Sequence, residues 1–257
     1  MIKIQNLSYQ IKEKYLVKNI SCSIPTNELL VIMGANGAGK TSLLKLISGL
    51  LHSNNGSLLI DDKPIKDYSQ LAMASKRAVL SQHYEISFPL TAAEIVMMGR
   101  YPFFDTHPRE LDLKIVQEVF AQLEIQDLAD RNYQTLSGGE AQKVQMCRVL
   151  AQMRGNEEQN RFLLLDEPVS HLDIKFQYQL LEIAQSIVNE KTSVIAVLHD
   201  INLALKYADR ILFMKDGEIV HEHFKNTKFD ITIIKDVFGI DASSIETSHP
   251  ARQWVCF

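Results

Sequence analysis

Eight residues constrain this chain more than any others: Gly34-Ala35-Asn36-Gly37-Ala38-Gly39-Lys40-Thr41, an uninterrupted GxxxxGK[ST] run. The apolar stretch Leu29-Leu30-Val31-Ile32-Met33 precedes it, and Ser42–Gly49, with helical spacing and a closing glycine, follows. A buried strand that turns through a glycine-rich loop into a helix turns backbone N–H groups and the positive end of the helix toward one point. Anionic phosphates are what such a point holds. Lys40 is placed to hold β- and γ-phosphate oxygens, and Thr41 to ligate Mg²⁺, with Ser42 beside it.

The rest of the chain alternates. Phe162–Asp166 and Ser193–Leu198 read as buried strands, Ile174–Asn189 and Ile201–Ala208 as helices, and Lys215-Asp216-Gly217-Glu218 as a hairpin turn. Strands alternating with helices predict an α/β fold built on a mainly parallel sheet, with further strands in the first thirty residues. Between them the character changes. Ala92–Met98 and Leu111–Leu128 suit amphipathic helices separated by an irregular Arg100–Arg109 stretch, so a helical subdomain is expected within the α/β domain. Arg154–Arg161 reads as an exposed polar loop.

Composition narrows the function classes. Of 257 residues 46% are apolar and the formal net charge is −4, which gives no support for a nucleic-acid binder. Cys22, Cys147 and Cys256 lack CxxC spacing and are expected as reduced thiols. No apolar run reaches bilayer-spanning length, and Met1–Gln5 reads as an opening strand without a signal-type apolar core. The expectation is a cytoplasmic protein whose membrane contact is made through a partner.

Four further positions, and one further segment, suit phosphate chemistry. Asp166 ends an apolar strand, at the sheet edge where α/β proteins bind ligands, and is placed to hold Mg²⁺. Glu167, one residue further out, is placed to polarise an attacking water. His199, after the Ser193–Leu198 strand, can reach a γ-phosphate, and Gln82, after Arg77–Leu80, can ligate Mg²⁺ or water. Ser137-Gly138-Gly139-Glu140 opens the amphipathic run Ala141–Met153 with a good N-cap and two bare glycines, a second anion-binding helix start.

In this order and context, Gly34–Thr41, Gln82, Leu136–Glu140, Leu163–Glu167, Ser170–Asp173 and His199 resemble the motif set of ATP-binding cassette (ABC) ATPases. The resemblance covers residues 1–225. It implies a P-loop NTPase (RecA-like) core with an antiparallel β region, a helical subdomain inserted at about 83–152, and a short extension over 226–257. It further implies ATP and Mg²⁺ as ligands, and a head-to-tail homodimer in which Ser137–Glu140 of one copy closes over ATP on the other. The expected further partners are a polytopic permease dimer and, indirectly, a periplasmic or surface substrate-binding protein, with no nucleic acid. Gln82-His83, Phe88–Thr91, Val96–Arg100 and Val237–Ile240 look like importers of iron chelates, haem and cobalamin. Phe88-Pro89, Arg154–Arg161 and His249-Pro250 look most like the haem-import branch. Ser81, Val169 and His171 depart from the usual pattern without removing a group needed for hydrolysis. For the aromatic that stacks on adenine, Tyr9 and Tyr15 flank the expected place and Ile11 lies nearest it; Tyr9 is the candidate taken, with the assignment open.

Overall fold

The computed structural model describes residues 1–81, 86–155, 158–170, 172–246 and 253–257. Two sheets face each other across a shared core. The smaller is antiparallel, with strand order β2-β1-β4-β5, formed by β1 (Ile2–Ile11), β2 (Lys14–Ile24), β4 (Asn55–Ile60) and β5 (Lys63–Pro64). The larger runs β10-β9-β3-β8-β7-β6. Its members are β3 (Leu29–Gly34), β6 (Arg77–Leu80), β7 (Arg161–Asp166), β8 (Thr192–Val197), β9 (Arg210–Lys215) and β10 (Glu218–Phe224). β9, β3, β8, β7 and β6 are mutually parallel, and β10 returns antiparallel through the Asp216-Gly217 turn.

The continuous apolar runs follow from burial on both faces. In β3, Leu30 and Ile32 pack toward the small sheet and α1 (Lys40–Ile47). Leu29, Val31 and Met33 pack into the other core, under the helices. That second core also takes α3 (Ala92–Met97), α4 (Glu110–Gln122), α5 (Gly138–Met153), α6 (Ile174–Ser186), α7 (Ile201–Tyr207) and α8 (Thr232–Phe238). A short helix α2 (Gln70–Lys76), which the sequence pattern does not signal, leads into β6. The chain ends in a hairpin of β11 (Ser243–Glu246) and β12 (Gln253–Cys256), and Val255 is buried in the core beneath the helices. Among the described residues no helix is long and apolar enough to cross a membrane.

Four boundaries differ from the sequence reading. α4 stops at Gln122 because Glu124 adopts φ 57°, closing the helix, and Gln126–Leu128 forms a separate 3₁₀ turn. The Arg100–Arg109 stretch is regular at its start, a 3₁₀ helix over Met98–Phe103. α6 ends at Ser186, since Asn189 and Thr192 close a tight turn by exchanging backbone hydrogen bonds. Arg161 is no loop residue: it opens β7, is buried, and donates to the Met153 carbonyl.

Register decides what meets at the sheet edge. Ile32, Val197 and Asp166 lie in one row across β3, β8 and β7. Two residues past that row are Gly34 on one strand and His199 on another, and one residue past it is Glu167. Leu80 of β6 pairs with Leu165, so β6 runs to the same edge.

Candidate nucleotide site

The glycine loop is pressed against two strands. Gly34 and Gly39 have φ 153° and 102°, and a Cβ at either would lie 2.2 Å from the Met214 carbonyl oxygen or 2.0 Å from that of Leu16. No side chain fits at either position. The Lys40 ammonium donates to the Gly34 and Ala35 carbonyls at 2.9 and 3.0 Å, and the Ala38 N–H bonds the Ala35 carbonyl. Burial lowers the Lys40 pKa, while the nearby Glu167 and Asp166 carboxylates oppose that shift. The loop bounds a concavity of about 180 Å³ lined by Asn36, Gly37, Gly39, Lys40, Thr41 and Ser42, with Leu16 and Glu167 completing the wall. A larger cavity, about 530 Å³, lies by Arg161 and Thr192 at the far end of β7 and β8, so volume does not mark the chemistry here.

Thr41 Oγ1 donates to Asp166 Oδ1 at 3.0 Å, tying the first turn of α1 to the end of β7. Burial raises the Asp166 pKa against that hydrogen bond. Next to it Glu167 has a left-handed backbone, φ 51°, and its Oε1 lies 2.7 Å from His199 Nε2. Burial pushes the Glu167 carboxyl up, but contacts to His199, Ser170 and Lys40 together outweigh it and hold the group below the usual range. These oxygens and nitrogens lie at or just past the ends of β7 and β8 and in α1, which follows β3; the three strands are adjacent and parallel, which explains how residues so far apart in sequence meet.

Ser137 caps α5 as the sequence implies. Its N–H and hydroxyl donate to Glu140 Oε2 at 2.8 and 2.7 Å, and Glu140 Oε1 accepts from Arg131 at 2.8 Å. Those contacts hold the Glu140 carboxyl below its usual range, the Ser137 hydroxyl contributing most. Around Gly138 and Gly139 the space is open, with nothing within 4 Å of an added Cβ. None of Ser137–Glu140 lines the concavity at Lys40.

Gln82 lies outside the described residues, as do His83, His171 and His249-Pro250. Tyr9 packs half-buried against the core between the sheets, and Tyr15 is exposed. Two contacts were not legible from sequence. Ser170 Oγ donates to Glu167 Oε2 at 3.3 Å, and Gln142 Nε2 of α5 donates to the Pro168 carbonyl at 2.6 Å. A Ser three residues past Glu167 in a turn was a local signal for the first; nothing in the sequence pointed to the second. The three cysteines are free thiols, with burial raising the Cys147 pKa to about 12.

A glycine-loop cradle, a loop threonine bonded to a strand-end carboxylate, and a carboxylate–imidazole pair on one sheet edge define a P-loop nucleotide-hydrolysing cassette. The ABC transporter family profile matches residues 17–170, and the chain belongs to that family. The hemin import ATP-binding protein HmuV of Pseudoalteromonas translucida is 38% identical over 244 residues, 94% of each chain. HmuV of Hahella chejuensis is 40% identical, covering 94% of this chain and 93% of that one. A dimeric post-hydrolysis structure of an ATP-binding cassette bound to ADP and Pi superposes with a TM-score of 0.77 at 27% identity, over 89% of this chain and 100% of the other.

Proposed function

We propose that two copies of this chain power the uptake of hemin through a membrane permease, each copy hydrolysing ATP on the edge formed by β3, β7 and β8. The observation that carries the reading is the convergence of Lys40, the Thr41–Asp166 pair and the Glu167–His199 pair, while the Ser137 cap faces elsewhere. An anion-binding helix start outside its own chain's site, with open space over Gly138 and Gly139, suits ATP held by a second copy. A dimeric structural neighbour bound to ADP and Pi supports two copies working as a pair.

Within the site Lys40 leaves the loop carbonyls to meet β- and γ-phosphate oxygens, with Gly34–Ser42 N–H groups around them. Thr41 Oγ1 and Asp166 Oδ1, two hard oxygen donors 3.0 Å apart, fit Mg²⁺, with Gln82 as a further ligand. When bound, the ion neutralises phosphate charge. Glu167 Oε1 takes the proton of the attacking water, and His199 Nε2 orients that carboxylate and reaches the γ-phosphate. Hemin as cargo is supported by identity of 38% and 40% to two hemin import proteins over nearly their full lengths. Exposed Leu71, Phe88 and Tyr101, on segments flanking residues 82–85, offer the apolar surface a permease needs.

The test is ATP-dependent uptake into vesicles holding the complex of this chain with its permease. Stimulation by hemin, and not by a ferric siderophore or cobalamin, is expected. A response to either of the others alone overturns the cargo.

A further inference from the structure

His199 is held from two sides. Before it, the Leu198 N–H bonds the Ile32 carbonyl, fixing the end of β8 to the sheet. After it, Asp200 caps α7 by accepting from the N–H groups of Asn202 and Leu203. α7 is only seven residues long, too short to hold its own orientation in water. The direction of its first turn, and hence of His199, must come from what is packed against it.

On one side there is little packing. A cavity of about 460 Å³ separates His199 and Ile201 from Phe238, Ile240 and Phe257, and Phe257 is exposed. Ile201, Leu203 and Ala204 are buried in the core, and the polar contact comes from β12. The Asn202 side chain accepts from the Val255 N–H at 2.8 Å and donates to the Val255 carbonyl at 3.1 Å. A carboxamide is the side chain that offers both a donor and an acceptor at strand-like spacing. It gives β12 the two bonds a neighbouring strand would give, at a residue whose side chain is buried, where unmade backbone bonds are costly.

We infer that Asn202 is a positioning residue for ATP hydrolysis: by locking the first turn of α7 to strand β12, it holds His199 Nε2 against Glu167. The inference rests on the Glu167–His199 reading above. It makes the last strand of the chain a part of the site, acting at one remove from any phosphate. The Lys40 loop lies on other elements, so the nucleotide cradle does not depend on the lock.

The experiment measures steady-state ATP hydrolysis and equilibrium ATP binding for the full chain, Asn202→Ala, a chain ending at residue 252, His199→Ala, and the double variant His199→Ala/Asn202→Ala. Asn202→Ala and the truncated chain are expected to lose about tenfold in kcat, the scale of a displacement of under about 1 Å at a reacting group, with KM and ATP affinity unchanged. Retained affinity shows that each variant is folded. In the His199→Ala background Asn202→Ala is expected to cost nothing further, because its effect runs through His199. Wild-type kcat in Asn202→Ala, lost ATP binding, or a full further loss in the double variant overturns the inference while leaving the catalytic pair intact. Full hydrolysis by His199→Ala instead overturns the pair itself, and the inference with it.

Discussion

Glu167 carries a left-handed backbone and places Oε1 2.7 Å from His199 Nε2. Such a conformation costs a non-glycine residue about 1–3 kcal/mol and persists only where its surroundings impose it. Here the Ser170 N–H bonds the Glu167 carbonyl and the Ser170 hydroxyl bonds its carboxylate. The turn and the imidazole together fix where the Glu167 carboxylate points.

Glu167→Gln keeps the shape and the contact with Ser170 but has no basic oxygen for a water proton. Steady-state turnover is expected to fall by about 10²-fold or more, the usual worth of a general base. ATP affinity, measured by equilibrium binding, should be retained, and the ATP-bound dimer should accumulate in size-exclusion chromatography. Hydrolysis at the wild-type rate would remove Glu167 from the role of base.

Arg100 and Asp112 form a second relationship, this one structural. Arg100 Nε donates to Asp112 at 3.0 Å, its Nη1 donates to the Ala151 and Arg154 carbonyls, and its guanidinium lies 4.2 Å from the Phe103 ring centre. Both side chains are buried, at 2% and 0% exposure. Arg100→Met leaves the Asp112 charge buried with its buried ionic partner gone and only the exposed Arg109 beside it, a loss of up to about 3–5 kcal/mol. Calorimetry should show Tm lowered by about 6–20 °C for a chain of this size. A change below about 1 kcal/mol would show that the pair is not what joins the 3₁₀ segment to α4 and α5.

The same residue shows where sequence reading stops. Val96–Arg100 was legible as a family-like segment, but not as the segment whose arginine ties three elements together, because its hydrogen-bond partners lie 12 to 54 positions away. The Gly34–Thr41 loop was legible because a strand, a loop and a helix start are contiguous. Asp166, Glu167 and His199 each ended a visible apolar run, and parallel register brought the runs level. Glu124 concealed the end of α4: a left-handed glutamate gives no glycine to read. Asn202 and Val255 were invisible as a pair, since nothing in either local sequence calls for the other.

Asp61 predicts a pH dependence of stability. Burial pushes its carboxyl up, but hydrogen bonds from Lys76, the N-terminal amine and Asn160 outweigh that and bring its pKa from 3.8 to about 2. A carboxyl whose folded pKa is depressed contributes stability that is fully present above its unfolded value and lost as pH falls through the folded one. The window is therefore between about pH 4 and pH 2. The side chain is a quarter exposed, so solvent screening limits the contribution to about 1–2 kcal/mol. Urea unfolding of wild type and Asp61→Asn should differ by that amount at pH 7 and converge toward pH 2. A difference that stays constant over this range would assign the effect to packing.

Gln142 links the two halves of the proposed dimer site within one chain. Two residues beyond Glu140 on α5, its Nε2 donates at 2.6 Å to the carbonyl of Pro168, next to Glu167. The helix whose start is proposed to meet the partner's ATP is thus bonded to the loop that carries Glu167. Gln142→Leu keeps the volume and removes the donor, leaving the Pro168 carbonyl to water or to nothing. Loss of one neutral hydrogen bond costs only about 1 kcal/mol of stability, so the fold should persist. If the bond transmits closure at one site to the other, the Hill coefficient for ATP should fall toward one while affinity at low ATP is unchanged, since cooperativity is a coupling free energy between sites. Hydrolysis rates measured across ATP concentrations for both proteins give that coefficient directly. An unchanged coefficient would leave Gln142 as a local brace for the Glu167–Ser170 turn, with coupling carried across the dimer by other contacts.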